Sequence, residues 1–273
     1  MQTDQVVVNP ITDQRGLFSY VTCLLALLNR YEVEKIPIYA DWTGADNYAD
    51  PDHHPNVFNS YFEQPFVDRL NSSHQIIQTS EGSELLNEFF NHKVYSFAPE
   101  VRKKAARLVT KYLRVLPRIT KLVDSFCDPL KNESILGVHI RSTDQFNGGH
   151  FHGQSLCLHR YLELIDQAVF QNQHAKIFAA SDSQAVIELL RDNFRNLITY
   201  DCTRSLDNRA LHLTEEFLGY QIGEDVLVES LILSRCQFFI ASPSNVSTMV
   251  TFWNLDLPFV EAMKGILNYE PGL

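Results

Sequence analysis

His139, Arg141 and Asp144 fall at the end of the apolar run Ile135-Leu136-Gly137-Val138, where the chain turns abruptly polar. Such a run has the character of a strand buried on both faces. In an open parallel sheet, ligands bind just beyond the carboxyl ends of strands. A guanidinium at that point, always charged and forked, suits phosphate oxygens. For one strand in isolation there is a plainer reading, in which Arg141 and Asp144 form a structural ion pair. Two further strands end alike: Ile177 to Ala180 runs into Ser181-Asp182-Ser183, and Phe238 to Ala241 runs into Ser242-Pro243-Ser244-Asn245. Because Ser242, Ser244 and Asn245 stand at the start of a helical pattern, the two serine hydroxyls, the Asn245 amide and the N–H groups of the first turn are a second source of phosphate contacts. An ordinary N-cap role for Ser244 is compatible with that.

The elements that must position these residues alternate. After an interruption at Asp128 to Glu133, the pattern predicts strand 135–141, helix 158–170, strand 176–180, helix 183–194, strand 197–201, helix 224–235, strand 237–241 and helix 245–254, which is a parallel sheet with covering helices. The first half reads as its own α/β unit: a strand over Gln5 to Val8, a turn-rich loop to Gly16, a helix over Leu17 to Tyr31, and a strand over Ile36 to Ala40. Gly16 can let a helix start pack closely. Thr43 to Asn59, rich in Asp, Asn, His and Pro, predicts a long solvated surface loop. Its His53-His54 pair beside Asp50 and Asp52 is a poor metal site, because neighbouring side chains of an extended loop diverge. A short helix is expected over Ser83 to Asn91, and a long basic helical stretch over Pro99 to Phe126, kinked or ended near Pro117. The cationic residues of that stretch read chiefly as a solvated face.

Composition excludes several function classes. With 45% apolar and 21% charged residues the chain of 273 reads as globular, and a net charge of −10 argues against nucleic acid or an anionic membrane as partner. No apolar run is long enough to span a membrane, and the amino terminus lacks a signal-peptide pattern, so the sequence as given reads as cytoplasmic. Five cysteines without Cys-x-x-Cys spacing are expected to be reduced.

The ordered set His139-Ile140-Arg141-Ser142-Thr143-Asp144, Ala180-Ser181-Asp182, and Leu233-Ser234-Arg235-Cys236-Gln237-Phe238 leading to Ser242-Pro243-Ser244 resembles the three successive motifs of the fucosyltransferase superfamily. That superfamily includes α1,6- and α1,2-fucosyltransferases, nodulation fucosyltransferases and protein O-fucosyltransferases. The resemblance covers roughly residues 132 to 255. It implies a GT-B-type α/β fold of two Rossmann-like domains facing a cleft. On this chain the domains would be residues 1–131 on the acceptor side and 132–258 on the nucleotide-sugar side, with 259–273 crossing back. For Gly16 it implies the alternative of a place near that cleft.

The resemblance also implies the chemistry: transfer of fucose or a related sugar from a GDP-sugar to a hydroxyl of a glycan or other acceptor, with no metal and no cofactor. Such a transfer needs charge stabilised on the leaving diphosphate and a proton taken from the acceptor. Arg141 would engage the diphosphate. By the same implication His139 contacts the guanine or ribose side, Asp182 lines the nucleotide pocket and Glu229 recognises guanine. Two features depart from the pattern. A second Arg commonly follows the first, where this chain has Ser142, and a loop Glu found in some relatives is replaced near Gly149. The proton acceptor is therefore left among Asp144, His150 and His152. These departures keep a second class open, a nucleotide-sugar-binding protein with degenerate chemistry.

Overall fold

A computed structural model describes residues 7–10, 15–50, 52, 54–66, 75–76, 85–90, 97–143, 158–171, 176–207, 209–211 and 219–263. The first half contains β1 (Val7–Pro10), α1 (Leu17–Glu34), β2 (Ile38–Asp41), β3 (Phe62–Glu63), β4 (Gln75–Ile76), α2 (85–89), α3 (Pro99–Tyr112), β5 (Arg114–Val115) and α4 (Pro117–Cys127). The second half contains β6 (Ile135–Ile140), α5 (Leu158–Gln171), β7 (Lys176–Ser181), α6 (Gln184–Asn193), β8 (Leu197–Ile198), α7 (Gly219–Leu233), β9 (Phe238–Ala241), α8 (Asn245–Trp253) and β10 (Phe259–Glu261). Strands β2-β1-β4 form a parallel three-stranded sheet, and β10-β9-β6-β7-β8 a parallel five-stranded one.

The order of the larger sheet locates a crevice. The chain enters at β6, moves one way through β7 to β8, then returns to the other side of β6 for β9 and β10. The carboxyl ends of β6 and β9 therefore flank the point at which the strand order reverses, where open α/β sheets take their ligands. Successive residues of β7 are buried on opposite faces: Ile177 and Ala179 pack with Val138, Ile165 and Ile187, whereas Phe178 and Ala180 join a core that also holds α1, α3, α7 and α8. That second core is continuous with the first half of the chain, so the two sheets share it. Within α1 every residue from Leu17 to Leu28 except Ser19 is buried, as expected of a helix covered on most sides.

Helix α7 belongs to the second half by sequence but is also seated on the first. The Tyr61 and Tyr220 rings stack at 5.6 Å, and Tyr61 donates a hydrogen bond to the Tyr220 carbonyl at 2.9 Å. A Cβ on Gly223 would fall 2.2 Å from the Tyr61 hydroxyl, so the close approach requires glycine. Arg118 of α4 completes the joint by bonding both Glu224 and the Ser60 carbonyl.

Several expected elements differ in detail. Of the two alternatives at Pro117, the helix ends and does not kink: α3 stops at Tyr112, Pro117 starts α4 just as Pro99 starts α3, and between them Arg114–Val115 pairs with Phe62–Glu63. Proline is well suited to a first helical position, and the residue before it is held out of the helical region. The segment from Thr43 to Asn59 is solvated only in part: Thr43, Asp46, Asp52, His54 and Pro55 are exposed, but the aromatic and apolar residues turn inward. Trp42, Tyr48, Val57 and Phe58 are buried, and the Asn56 side chain ties Trp42 N, Phe58 N and the Ala40 carbonyl together. Its aromatic residues decide its position over its many turn-forming ones. Helix α7 begins five residues before the expected Glu224, and β8 is shorter than expected. Phe259–Glu261, the start of the segment expected to cross back, extends the five-stranded sheet as an edge strand, and the Phe259 ring meets Phe97 and Arg102 of the first half; residues 264–273 lie outside the described residues.

Candidate active site

A cavity of about 270 Å³ opens at the carboxyl ends of β6 and β9, and Arg141, His139, Asp182, Glu229 and Asn245 all border it. The structure thus brings together five of the residues singled out from sequence. Asp144, His150 and His152 lie outside the described residues.

His139 is the penultimate residue of β6 and is buried. Its Nδ1 lies 2.8 Å from the Ser242 hydroxyl, 2.8 Å from that of Ser247 and 3.3 Å from that of Ser244. Burial, with the nearby Arg141 charge as the lesser cause, pushes its pKa down to about 3. The ring is neutral at physiological pH, and with Nδ1 turned to the serines, Nε2 remains for a ligand. The same contacts occupy Ser242 and Ser244. Ser244 also accepts from Ser247 N as the N-cap of α8. At this helix start it is Asn245 and Val246 that border the cavity, not the two hydroxyls.

Asp182, at the end of β7, receives four hydrogen bonds from the turn that follows β6. Ser142 donates N–H at 2.9 Å and Oγ at 3.0 Å to one carboxylate oxygen; Thr143 donates N–H at 3.4 Å and Oγ1 at 2.7 Å to the other. Asp182 therefore clamps the turn directly after Arg141. Ser142, which departs from the motif, is fully buried in that clamp, a place into which a long guanidinium side chain does not fit.

A second helix start faces the cavity. Gly16, Leu17, Phe18 and Ser19, the N-cap and first turn of α1, border it, and Leu17 N donates to the Tyr48 hydroxyl at 2.8 Å. Nothing lies within 4 Å of a Cβ built on Gly16, whose φ of −66° any residue adopts. Close packing is therefore not the reason for glycine here, and its bare backbone lies open at the cavity. Helix starts carry unpaired N–H groups and partial positive charge. Arg141 and the first turns of α1 and α8 thus supply three sources of positive potential to one space.

The remaining wall is acidic. Asp225 and Glu229, one turn apart on α7, both border the cavity. Glu229 is buried against Arg204, whose Nη2 lies 2.9 Å from Oε1, and the Cys202 thiol donates to the same oxygen at 3.2 Å. Burial raises Glu229 to about 7 against the opposing Arg204 charge. Asp225 accepts from Thr203 N at 2.9 Å and Gln221 Nε2 at 2.7 Å, and burial raises its pKa too. The spacing of Asp225 and Glu229 on one helix face was a readable signal for a paired acidic wall. Arg204, Cys202 and Thr203 lie in an irregular segment, where no periodicity points to them.

Among the described residues no group of three His, Cys, Asp or Glu side chains is placed to hold a metal ion, no helix is long and apolar enough to cross a membrane, and none of Cys23, Cys127, Cys202 and Cys236 is in a disulfide.

No family model matches the chain, and no curated protein matches it. Solved structures do. The chain is similar to the NodZ α1,6-fucosyltransferase co-crystallized with GDP, at 16% identity over 94% of each chain with a TM-score of 0.61. It is similar to the fucosyltransferase NodZ from Bradyrhizobium, at 17% identity over 94% of each chain with a TM-score of 0.63. A third similar structure is FUT1 of Arabidopsis thaliana in complex with GDP, at 10% identity over 93% of this chain and 69% of that one, with a TM-score of 0.55. The parallel sheets, the crevice at β6 and β9 and these likenesses together give the chain the GT-B-type α/β fold of the fucosyltransferases.

Proposed function

We propose that this protein is a glycosyltransferase that moves fucose, or a related sugar, from a GDP-sugar to a hydroxyl of a glycan or other acceptor. The observation that carries the reading is the convergence of Arg141 and the first turns of α1 and α8 on one cavity at the sheet's switch point. A diphosphate leaving group is the ligand such a concentration of positive potential suits. His139 adds no charge, because it is held neutral; its Nε2 is available to a ribose or base.

In the reaction, the acceptor oxygen forms a bond to the anomeric carbon as the bond from that carbon to the diphosphate oxygen breaks. Negative charge grows on the diphosphate, and Arg141 with the two helix starts stabilises it. The proton of the acceptor hydroxyl passes to a base, for which Asp144, His150 and His152 are the candidates. Nothing in this scheme requires a metal.

The reading is tested by titrating the protein with GDP and with UDP in the presence and absence of EDTA. GDP should bind at least about tenfold more tightly, the difference that one hydrogen bond to a charged carboxylate is worth, and EDTA should change neither affinity nor turnover. Equal affinity for UDP, or turnover lost in EDTA, would overturn it.

A further inference from the structure

Arg204 does not border the cavity, yet it is bound to the residue that gives the cavity its acidic wall. Its side chain is only 7% exposed. Nη2 donates to the Tyr200 carbonyl at 3.0 Å and to Glu229 Oε1 at 2.9 Å, and Nη1 donates to the Cys202 carbonyl at 3.3 Å. The guanidinium is therefore fixed to its own segment by two carbonyls while it grips one carboxylate oxygen. With the Cys202 thiol on the same atom, Oε1 has two donors, and Oε2 has no hydrogen-bond partner among the described residues.

We propose that Arg204 is a positioning residue for nucleobase recognition: by holding Glu229 Oε1 it keeps the carboxylate oriented and ionised, so that Oε2 accepts hydrogen bonds from a base edge rich in donors. This inference rests on the donor-site reading above. Guanine presents two adjacent N–H donors to such an oxygen. Uracil presents one donor between two carbonyls, and adenine a donor beside an acceptor; both set a lone pair against the carboxylate. Arg204 is needed because the surroundings otherwise favour the neutral acid. Burial first, and Asp225 one turn away, hold Glu229 up at about 7 even with Arg204 and the Cys202 thiol drawing it down. Asp182 just after β7, and His139 and Arg141 at the end of β6, border the same cavity. Of these His139 is neutral and Asp182 is bonded to the turn after β6. The cation from α4, Arg118, is bonded to Glu224 instead.

The test is a double-mutant cycle read by calorimetry with GDP, UDP and ADP on the full chain, using Arg204→Met, Glu229→Gln and the double variant, with Arg204→Lys as a conservative control. Arg204→Met should weaken GDP by about ten- to a hundredfold, leave the weak UDP and ADP binding unchanged, and cost nothing further in the Glu229→Gln background. The deficit should grow as pH rises through about 7, where the wild-type carboxyl ionises, and shrink only at higher pH, where the carboxyl of the variant ionises unaided. Arg204→Lys should recover part of the affinity, keeping the charge and losing the fork. Equal losses from Arg204→Met in both backgrounds, or for all three nucleotides, would overturn the proposal. Should Arg204→Met fail to fold, Arg204→Lys and the double variant, which leaves no uncompensated charge, carry the comparison. A wild-type protein that binds no GDP would overturn the donor-site reading itself. Carbon-13 carboxyl titration of Glu229 then decides the grip: a higher midpoint in the Arg204 variant supports it, and coincident midpoints overturn it.

Discussion

The four hydrogen bonds on Asp182 tie the end of β7 to the turn that sends Arg141 into the cavity. Asp182→Asn would turn an amide NH2 toward donors already pointing at that oxygen, a cost of about 1–3 kcal/mol. We therefore expect a melting temperature several degrees lower and weaker GDP binding. A variant with wild-type melting would remove the clamp from the account. The places of Arg141 and Asp182 at the cavity were legible because polar residues directly after apolar runs mark strand ends, and that of Glu229 because the family resemblance put an acidic residue there. Their partners were not. Ser142 read as a defect in a motif, whereas it is half of the Asp182 clamp, and Arg204 comes from a segment without periodicity. Ser242 and Ser244 lie where the sequence put them, yet their hydroxyls face His139. A position in the chain does not fix the direction in which a side chain points.

Between elements, the clearest electrostatic joint is at the carboxyl end of α1. Glu32 is held down to about 2, first by its hydrogen bond to Arg107 and then by Lys111 and Tyr112, all of α3, against an opposing effect of burial. Because the folded-state pKa is lowered, this contribution is complete above the ordinary carboxylate range and is lost as pH falls through about 2. Because Arg107 and Lys111 are half exposed, solvent screening limits its size to about 1 kcal/mol. Glu32→Gln should therefore be clearly less stable than wild type in urea at neutral pH, with the gap narrowing below about pH 4. A gap independent of pH would assign the loss to packing instead. This joint was not legible, since the cations of α3 read as a solvated face and their partner is distant in sequence. The break between α3 and α4 was half legible: Pro117 fixed its place, but nothing local told that Arg114 and Val115 pair with Phe62 and Glu63.

Across the whole molecule, the alternation of strands and helices after Ile135 was enough to foresee the parallel sheet, and the strand order then located the crevice. The shared core was not foreseeable, because it depends on α7 and α8 packing against α1, α3 and α4, contacts between residues far apart in sequence. That shared core sets the first turn of α1 opposite the ends of β6 and β9, and so makes a single site from two halves of the chain. The central claim is that Arg141 stabilises a leaving diphosphate there. It is tested most directly by incubating wild type and Arg141→Ala with GDP-fucose and following sugar release or transfer by mass spectrometry, with thermal melts alongside. Wild type should liberate GDP. Arg141→Ala should be slower by roughly a hundred- to a thousandfold while melting within a few degrees of wild type, and Arg141→Lys should recover only part of the rate. An Arg141→Ala protein that turns over GDP-fucose at the wild-type rate would contradict the account.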